Sequence, residues 1–273
     1  MSYLIAVLLG LVQGITEIFP ISSSGHLALL QNIFHIEEAD LMFDAMLHLG
    51  TLLAVILAYR NDVRGVLRGG FALIGIGKEA GSRKPRARAR KRMALFIILG
   101  TLPLLIALPF RNSKLSGNSV FIGVMLLVTG VILYLADRYG KAKKDFQHIT
   151  LLDVLLVGLG QALAVVPGVS RSGVTISLGL LRGFQKPFAV KFSFLLSIPS
   201  VIGGIALKLW DGIRLGFDPG MLGMYAVGMI AAMVSGYFCI RLLRWTAARS
   251  RFGGFAYYCW GAGIVALLLS LVA

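Results

Sequence analysis

The sequence predicts an all-α polytopic membrane protein, with six transmembrane helices and two re-entrant helix pairs arranged as an inverted-topology repeat. Three observations carry this expectation. The chain contains apolar runs close to bilayer length, among them Val120–Ala136, Met221–Ile240 and Gly254–Ala273. Two further apolar segments are broken in the middle by Pro/Ser/Gly clusters, and these two segments match each other at a fixed offset. The composition agrees. Of 273 residues, 57% are hydrophobic and 14% charged, against about 45–50% and about 25% in an ordinary soluble domain, and the mean hydropathy is +0.83. So few charges cannot cover a globule, which excludes a soluble enzyme, a disordered chain and a secreted disulfide scaffold.

The six expected spans run over 42–59, 93–110, 118–136, 188–207, 221–240 and 254–272. The broken segments cover 4–33 and 151–182, with breaks at Pro20-Ile21-Ser22-Ser23-Ser24-Gly25 and Pro167-Gly168-Val169-Ser170-Arg171-Ser172-Gly173. Lipid cannot satisfy free backbone N–H and C=O groups, so irregular backbone at membrane depth must be buried in protein or line a cavity. Both segments are therefore read as re-entrant pairs of short helices with tips near the midplane. Shifting the first by 148 brings Gly10, Leu11, Gln13, Ser22, Ser24 and Gly25 onto Gly158, Leu159, Gln161, Ser170, Ser172 and Gly173. Three spanning candidates follow each copy, so the second copy is expected upside down relative to the first, within a single domain 1–273 whose halves are about 1–148 and 149–273.

Charge supplies the orientation. The net charge is +15 from 27 basic and 12 acidic residues. The basic residues gather in inter-helix loops, which favours topology over nucleic acid as their purpose. The stretch from Arg60 to Arg92 holds 11 of them, and the loops around Arg138–Lys144, Arg182–Lys191 and Arg241–Arg251 raise that side to 22 of 27. The opposite loops hold Arg111, Lys114, Lys208 and Arg214 beside Glu37, Glu38, Asp40 and Asp44. The positive-inside rule makes the 22 cytoplasmic, both termini external, and a site on the first broken pair open to the outer leaflet. Cys239 and Cys259 lie in apolar helical runs and are expected as buried free thiols. The N-terminus lacks a basic leader and does not read as a cleavable signal.

The chemistry concentrates at the breaks. Glu17 is an ionisable group in an apolar run, which by default marks a site, and Gln13 shares its helix face at i−4. Ser22, Ser23, Ser24 and Gly25 precede a helical run and suit an N-cap, where free N–H groups make an anion site. Ser170, Arg171, Ser172 and Gly173 repeat that layout with a guanidinium inserted, whose planar fork suits phosphate. The shared serines point to common capping roles. The departures between copies are Glu17 against Val165, Ser23 against Arg171 and His26 against Val174. They single out a hydroxyl nucleophile (Ser23), two candidate bases (Glu17 and His26) and a cation (Arg171). Asp44 and His48, spaced i, i+4, read as a hydrogen-bonded pair with metal binding as the lesser alternative, and His35 and His148 read as surface residues.

At these residues the sequence resembles the undecaprenyl-diphosphate phosphatase family of bacterial membranes, also known for bacitracin resistance. The resemblance rests on Gln13-Gly14-Ile15-Thr16-Glu17, on Pro20-Ile21-Ser22-Ser23-Ser24-Gly25-His26, and on Pro167-Gly168-Val169-Ser170-Arg171-Ser172-Gly173-Val174-Thr175. Some members carry Glu where this chain has Gln13, which leaves Glu17 as the one carboxylate of that pair. The resemblance implies hydrolysis of a polyprenyl diphosphate to the monophosphate in the bacterial plasma membrane, recycling the lipid carrier for cell-wall synthesis. It assigns catalysis to Ser23, His26, Glu17 and Arg171. Substrate contacts fall to Gln13, Ser22, Ser24, Gly25, Ser170, Ser172, Gly173 and Thr175. It also implies a divalent cation, Mg2+ or Ca2+, with Glu17 as the one evident ligand. The expected partners are the lipid substrate and membrane lipids, not nucleic acid, with pairing to a second copy left open. A transporter or flippase is the alternative that the same repeat plan allows. A membrane phosphatase with a His nucleophile is disfavoured, because position 177 is Ser177 where that class needs a second His.

Overall fold

A computed structural model describes residues 2–33, 41–110, 118–216, 218–249 and 252–272. The loop residues His35, Glu37, Glu38, Asp40, Arg111 and Lys114 lie outside the described residues. The described chain is helical: α1 (Tyr3–Ile18), α2 (Ser23–Ile33), α3 (Leu41–Ala58), α4 (Arg60–Leu73), α5 (Pro85–Thr101), α6 (Leu104–Ala107), α7 (Ser119–Tyr139), α8 (Leu151–Leu163), α9 (Arg171–Leu181), α10 (Lys186–Leu215), α11 (Leu222–Ala248) and α12 (Gly253–Val272). Five of these, α3, α7, α10, α11 and α12, are long and apolar enough to cross a membrane. The sixth expected span, 93–110, is divided. α5 starts inside the basic run at Pro85 and stops at Thr101, and Pro103, which has no N–H to donate, opens the separate short α6.

Small residues let the helices approach. A Cβ on Gly10 of α1 would lie 2.4 Å from the Gly228 carbonyl oxygen of α11, and one on Gly158 of α8 would lie 2.3 Å from the Gly100 carbonyl oxygen of α5. These two glycines correspond at the 148-residue offset, so matching helices make matching close contacts through the backbone. α3 packs on both α10 and α11, and α7 on α12. Large apolar side chains such as Ile98, Ile106, Phe238 and Leu268 remain exposed on the outer faces, as expected where lipid is the solvent.

Polar contacts bind one end of the bundle. Buried Asp153, in the first turn of α8, accepts from Lys144 Nζ at 2.9 Å and from Arg182 Nε, just past α9, at 2.7 Å. The α8–α9 pair therefore starts and finishes at the same place, a hairpin with its tip inside the bundle. Lys186 pairs with Asp137 at 2.6 Å and Lys191 with Asp62 at 3.2 Å, while Arg244 lies over the Tyr59 ring. Arg92 donates to the Gln147 carbonyl at 3.0 Å. These contacts gather the basic loops at one end, and Lys208 pairs with Asp44 towards the other. Cys239 and Cys259 are free and buried, as the sequence predicts.

Candidate active site

The two breaks meet each other. At the first, Ser22 takes a left-handed backbone (φ +71°) and its hydroxyl accepts from Gly25 N–H at 3.3 Å. At the second, Ser170 caps α9 by accepting from Gly173 N–H at 3.0 Å. Neighbouring hydroxyls pair in the same way, Ser22 with Ser24 at 3.4 Å and Ser170 with Ser172 at 3.3 Å. The caps expected from the repeat are thus present in both copies, and they explain why a helix restarts at each break. The tips then cross. Ser24 Oγ accepts from Gly168 N–H at 3.4 Å, and Ser172 Oγ donates to the Phe19 carbonyl at 3.3 Å.

Position 23 opens α2 and its counterpart 171 opens α9, and both side chains turn to Glu17 at the end of α1. Ser23 Oγ donates to Glu17 Oε2 at 2.5 Å, and Arg171 Nη2 donates to Glu17 Oε1. Gln13 Nε2 adds a bond to Oε2 at 3.3 Å. The Glu17 side chain is 10% exposed and that of Arg171 25%, so the carboxylate is sheltered while the guanidinium still faces open space. That space is a cavity of about 1240 Å³ lined by Glu17, Ser23, Ser24, Ser170, Arg171, Ser172, Pro199 and Ser200, with apolar walls from Leu104, Leu105 and Leu207. A hydroxyl held by a carboxylate beside a cation, at two helix N-termini, is an arrangement for attack on an anionic centre.

Of the sequence-predicted residues, Glu17, Ser23, Ser24, Ser170, Arg171 and Ser172 line the cavity, whereas Gln13, Ser22, Gly25, His26, Gly173 and Thr175 do not. His26 points away from the cavity: its Nδ1 lies 2.7 Å from the Ser22 carbonyl and its Nε2 2.9 Å from the Tyr258 hydroxyl, with the two rings stacked. Of the two candidate bases for Ser23, Glu17 is the one that its hydroxyl reaches. Thr175 is buried and bonds to Ser193 Oγ at 2.5 Å and to the Arg171 carbonyl at 2.9 Å. It braces the first turn of α9 and does not line the cavity. Ser170 and Ser172 do line it but are committed to caps and tip contacts. Gln13 is buried beside Glu17.

Sequence reasoning missed Ser200 and Gln161. Arg171 Nη1 donates to Ser200 Oγ at 3.4 Å, and Ser200 Oγ lies 3.2 Å from Gln161 Oε1. The polar face Ser193, Ser197, Ser200 on α10, at helical spacing in an apolar span, was the available signal. Asp44 and His48 do form the expected bonded pair, and both line the cavity. His148 is exposed and pairs with Asp145 at 2.6 Å, as expected of a surface residue.

For a divalent cation, no group of three His, Cys, Asp or Glu side chains gathers among the described residues. Glu17 and the Gln13 Oε1 atom, which is buried with no hydrogen-bond partner, are the oxygens at hand. This donor set fits a cation carried mostly by substrate phosphates, not one caged by protein.

Residues 6–265 match the family described as bacitracin resistance protein BacA. Among curated proteins, the undecaprenyl-diphosphatase of Carboxydothermus hydrogenoformans is 38% identical over 97% of this chain and 96% of its own length. That of Trichlorobacter lovleyi is 40% identical over 98% of each, and that of Alkaliphilus metalliredigens 37% over 98% of each. The chain belongs to the BacA family of bacitracin-resistance proteins.

Proposed function

We propose that the chain hydrolyses undecaprenyl diphosphate to the monophosphate and phosphate, as its relatives' names state of them, with Ser23 as nucleophile. The observation that carries the mechanism is the 2.5 Å bond from Ser23 Oγ to Glu17. Glu17 takes the hydroxyl proton as Ser23 Oγ attacks the terminal phosphorus. The anhydride P–O bond breaks, and the polyprenyl monophosphate leaves with the bonding electron pair. The leaving phosphate takes that proton from Glu17. Water then attacks the phosphoserine phosphorus, giving up a proton to the restored carboxylate. The Oγ–P bond breaks as Glu17 returns the proton to Ser23 Oγ, and phosphate departs. Arg171 and the N–H groups opening α2 and α9 stabilise the charge on the transferring group, the largest single contribution in sites of this kind. Glu17 and Gln13 Oε1 would hold a divalent cation against the diphosphate, and its chemistry there is neutralisation of phosphate charge.

The architecture we infer is the inverted repeat of two re-entrant pairs. It is supported by the pinned α8–α9 hairpin, the matched caps and the paired glycine contacts. With the basic end cytoplasmic, the cavity opens between α2, α3 and α10 to the outer leaflet, and the prenyl chain stays in lipid beside the apolar walls. A membrane-impermeant thiol reagent should label Gly220→Cys from outside intact cells and Arg86→Cys only after permeabilisation. The reverse pattern overturns the orientation.

Phosphate release by the purified chain tests the nucleophile. Ser23→Ala should reduce turnover on the order of 10³-fold. A drop below about tenfold shows that Ser23 only binds phosphate while water attacks directly.

A further inference from the structure

The substrate carries two phosphates, and the groups described so far serve only the terminal one. The leaving phosphate, which bears the prenyl chain, must lie further out in the same cavity. One polar face of α3 climbs in that direction. Thr51 shares a pocket of about 20 Å³ with Glu17 and Arg171, and its hydroxyl donates to the His48 carbonyl at 2.9 Å. His48 lies about 4.5 Å further along the helix axis and Asp44 about 6 Å beyond it, at 1.5 Å per residue.

His48 is oriented. Its Nδ1 lies 2.8 Å from the Asp44 carbonyl and 3.4 Å from Asp44 Oδ1. Asp44 is held in turn by Lys208 of α10. These contacts hold the Nδ1 side of the ring and leave Nε2 with no partner among the described residues. The cavity wall includes His48 together with Glu17, Arg171 and Lys208. Among the described lining residues, Glu17, Asp44 and Asp211 balance Arg171, Lys208 and Arg214, so the fixed charges cancel. His48 then presents an unpartnered ring nitrogen to a wall whose described fixed charges cancel. Ionisable groups on a spanning helix are kept for function by default.

We propose that His48 is the contact for the leaving, prenyl-bearing phosphate, its ring set by Asp44 and its surroundings charge-balanced by Lys208. The proposal rests on the diphosphatase reading above, which phosphate release by the unaltered chain tests separately. Polyprenyl monophosphate, the product, should occupy the His48 subsite as an inhibitor, whereas inorganic phosphate reports the Ser23–Arg171 pocket.

The test compares the two inhibition constants. In His48→Leu, inhibition by the monophosphate should weaken about tenfold or more, as expected for one lost hydrogen bond to a charged group, and the KM for the diphosphate should rise in parallel. Inhibition by inorganic phosphate should change less than threefold, and His48→Arg should restore most of the monophosphate affinity. Unchanged monophosphate inhibition, or equal weakening of both inhibitors, overturns the proposal. A second measurement needs no variant. Acylation of His48 by diethylpyrocarbonate, mapped by mass spectrometry on the unaltered chain, should be slowed by the monophosphate and not by inorganic phosphate. His26, which does not line the cavity, should show no protection, and equal reactivity of His48 with and without the monophosphate also overturns it.

Discussion

Glu17→Gln is the sharpest perturbation, because it keeps the shape of the side chain and changes only what its two end atoms can do. Glu17 accepts at both oxygens: Oε2 from Ser23 and Gln13, and Oε1 from Arg171. An amide has one acceptor and one donor end. Its NH2 must therefore face either Arg171 or Ser23, and both are donors. If the oxygen stays with Arg171, Ser23 is forced to accept and its proton no longer has a base. Losing a general base costs about 10²–10⁴-fold in rate, or about 2.7–5.4 kcal/mol at 1.36 kcal/mol per decade. Arg171 also loses its counter-ion. Breaking a fully buried pair costs about 3–5 kcal/mol. Because Arg171 is a quarter exposed to the cavity, screening reduces the expected loss to about 1–3 kcal/mol. The assay is phosphate release together with thermal unfolding of the detergent-solubilised chain. Adding Arg171→Met to Glu17→Gln removes the unpaired cation. That double variant should recover stability relative to Glu17→Gln without recovering activity, a signature of coupling between the pair. Glu17→Gln turnover above about one tenth of wild type would refute Glu17 as the base.

Other expectations follow from the same geometry. Arg171→Lys keeps the charge but loses the fork that reaches Glu17 and Ser200 together, so turnover should fall at least tenfold; near wild-type rates would reduce Arg171 to a source of field. His26→Phe keeps a ring against Tyr258 outside the cavity, and turnover should stay within about tenfold of wild type in a phosphate-release assay, far above Glu17→Gln. Gly158→Ala places a Cβ 2.3 Å from the Gly100 carbonyl and should lower stability by about 1–3 kcal/mol in thermal unfolding. Gly261→Ala, which meets nothing within 4 Å, should be neutral or slightly stabilising.

How much of this was legible beforehand depends on the range of the signal. Apolar runs and prolines are local, and they marked the long helices and both breaks. They also misjudged 93–110, where Pro103 divides an apolar run that composition alone joins. The offset of 148 located Ser22 and Ser170 as caps because the N-cap bond is made within three residues. It could not show which way His26 turns, since that depends on Tyr258, 232 residues away. Ser200 and Lys208 were equally hidden. A serine or lysine on an apolar helix becomes part of a site only once the facing helix supplies Arg171 or Asp44.

In the proposed repeat, the departures between the two copies carry the proposed chemistry. Positions 23 and 171 correspond at the 148-residue offset and each is first in its helix, yet one holds the hydroxyl and the other the cation. Equivalence in the repeat does not mean equal distance from Glu17. Glu17 belongs to α1, next to α2, and its counterpart just past α8 is Val165, so no second carboxylate awaits a serine on α9. Arg171 spans the gap between the two tips with a long side chain, whereas Ser23 reaches Glu17 with a single carbon and a hydroxyl. Exchanging the two residues, Ser23→Arg with Arg171→Ser, therefore keeps the composition and charge of the cavity but strands the hydroxyl out of reach of its base. Turnover should fall on the order of 10³-fold, as far as Ser23→Ala alone, while the thermal midpoint stays close to wild type because Arg at position 23 still faces Glu17. Recovery to within tenfold of wild type would show that the two tips are interchangeable, and that the carboxylate serves both alike.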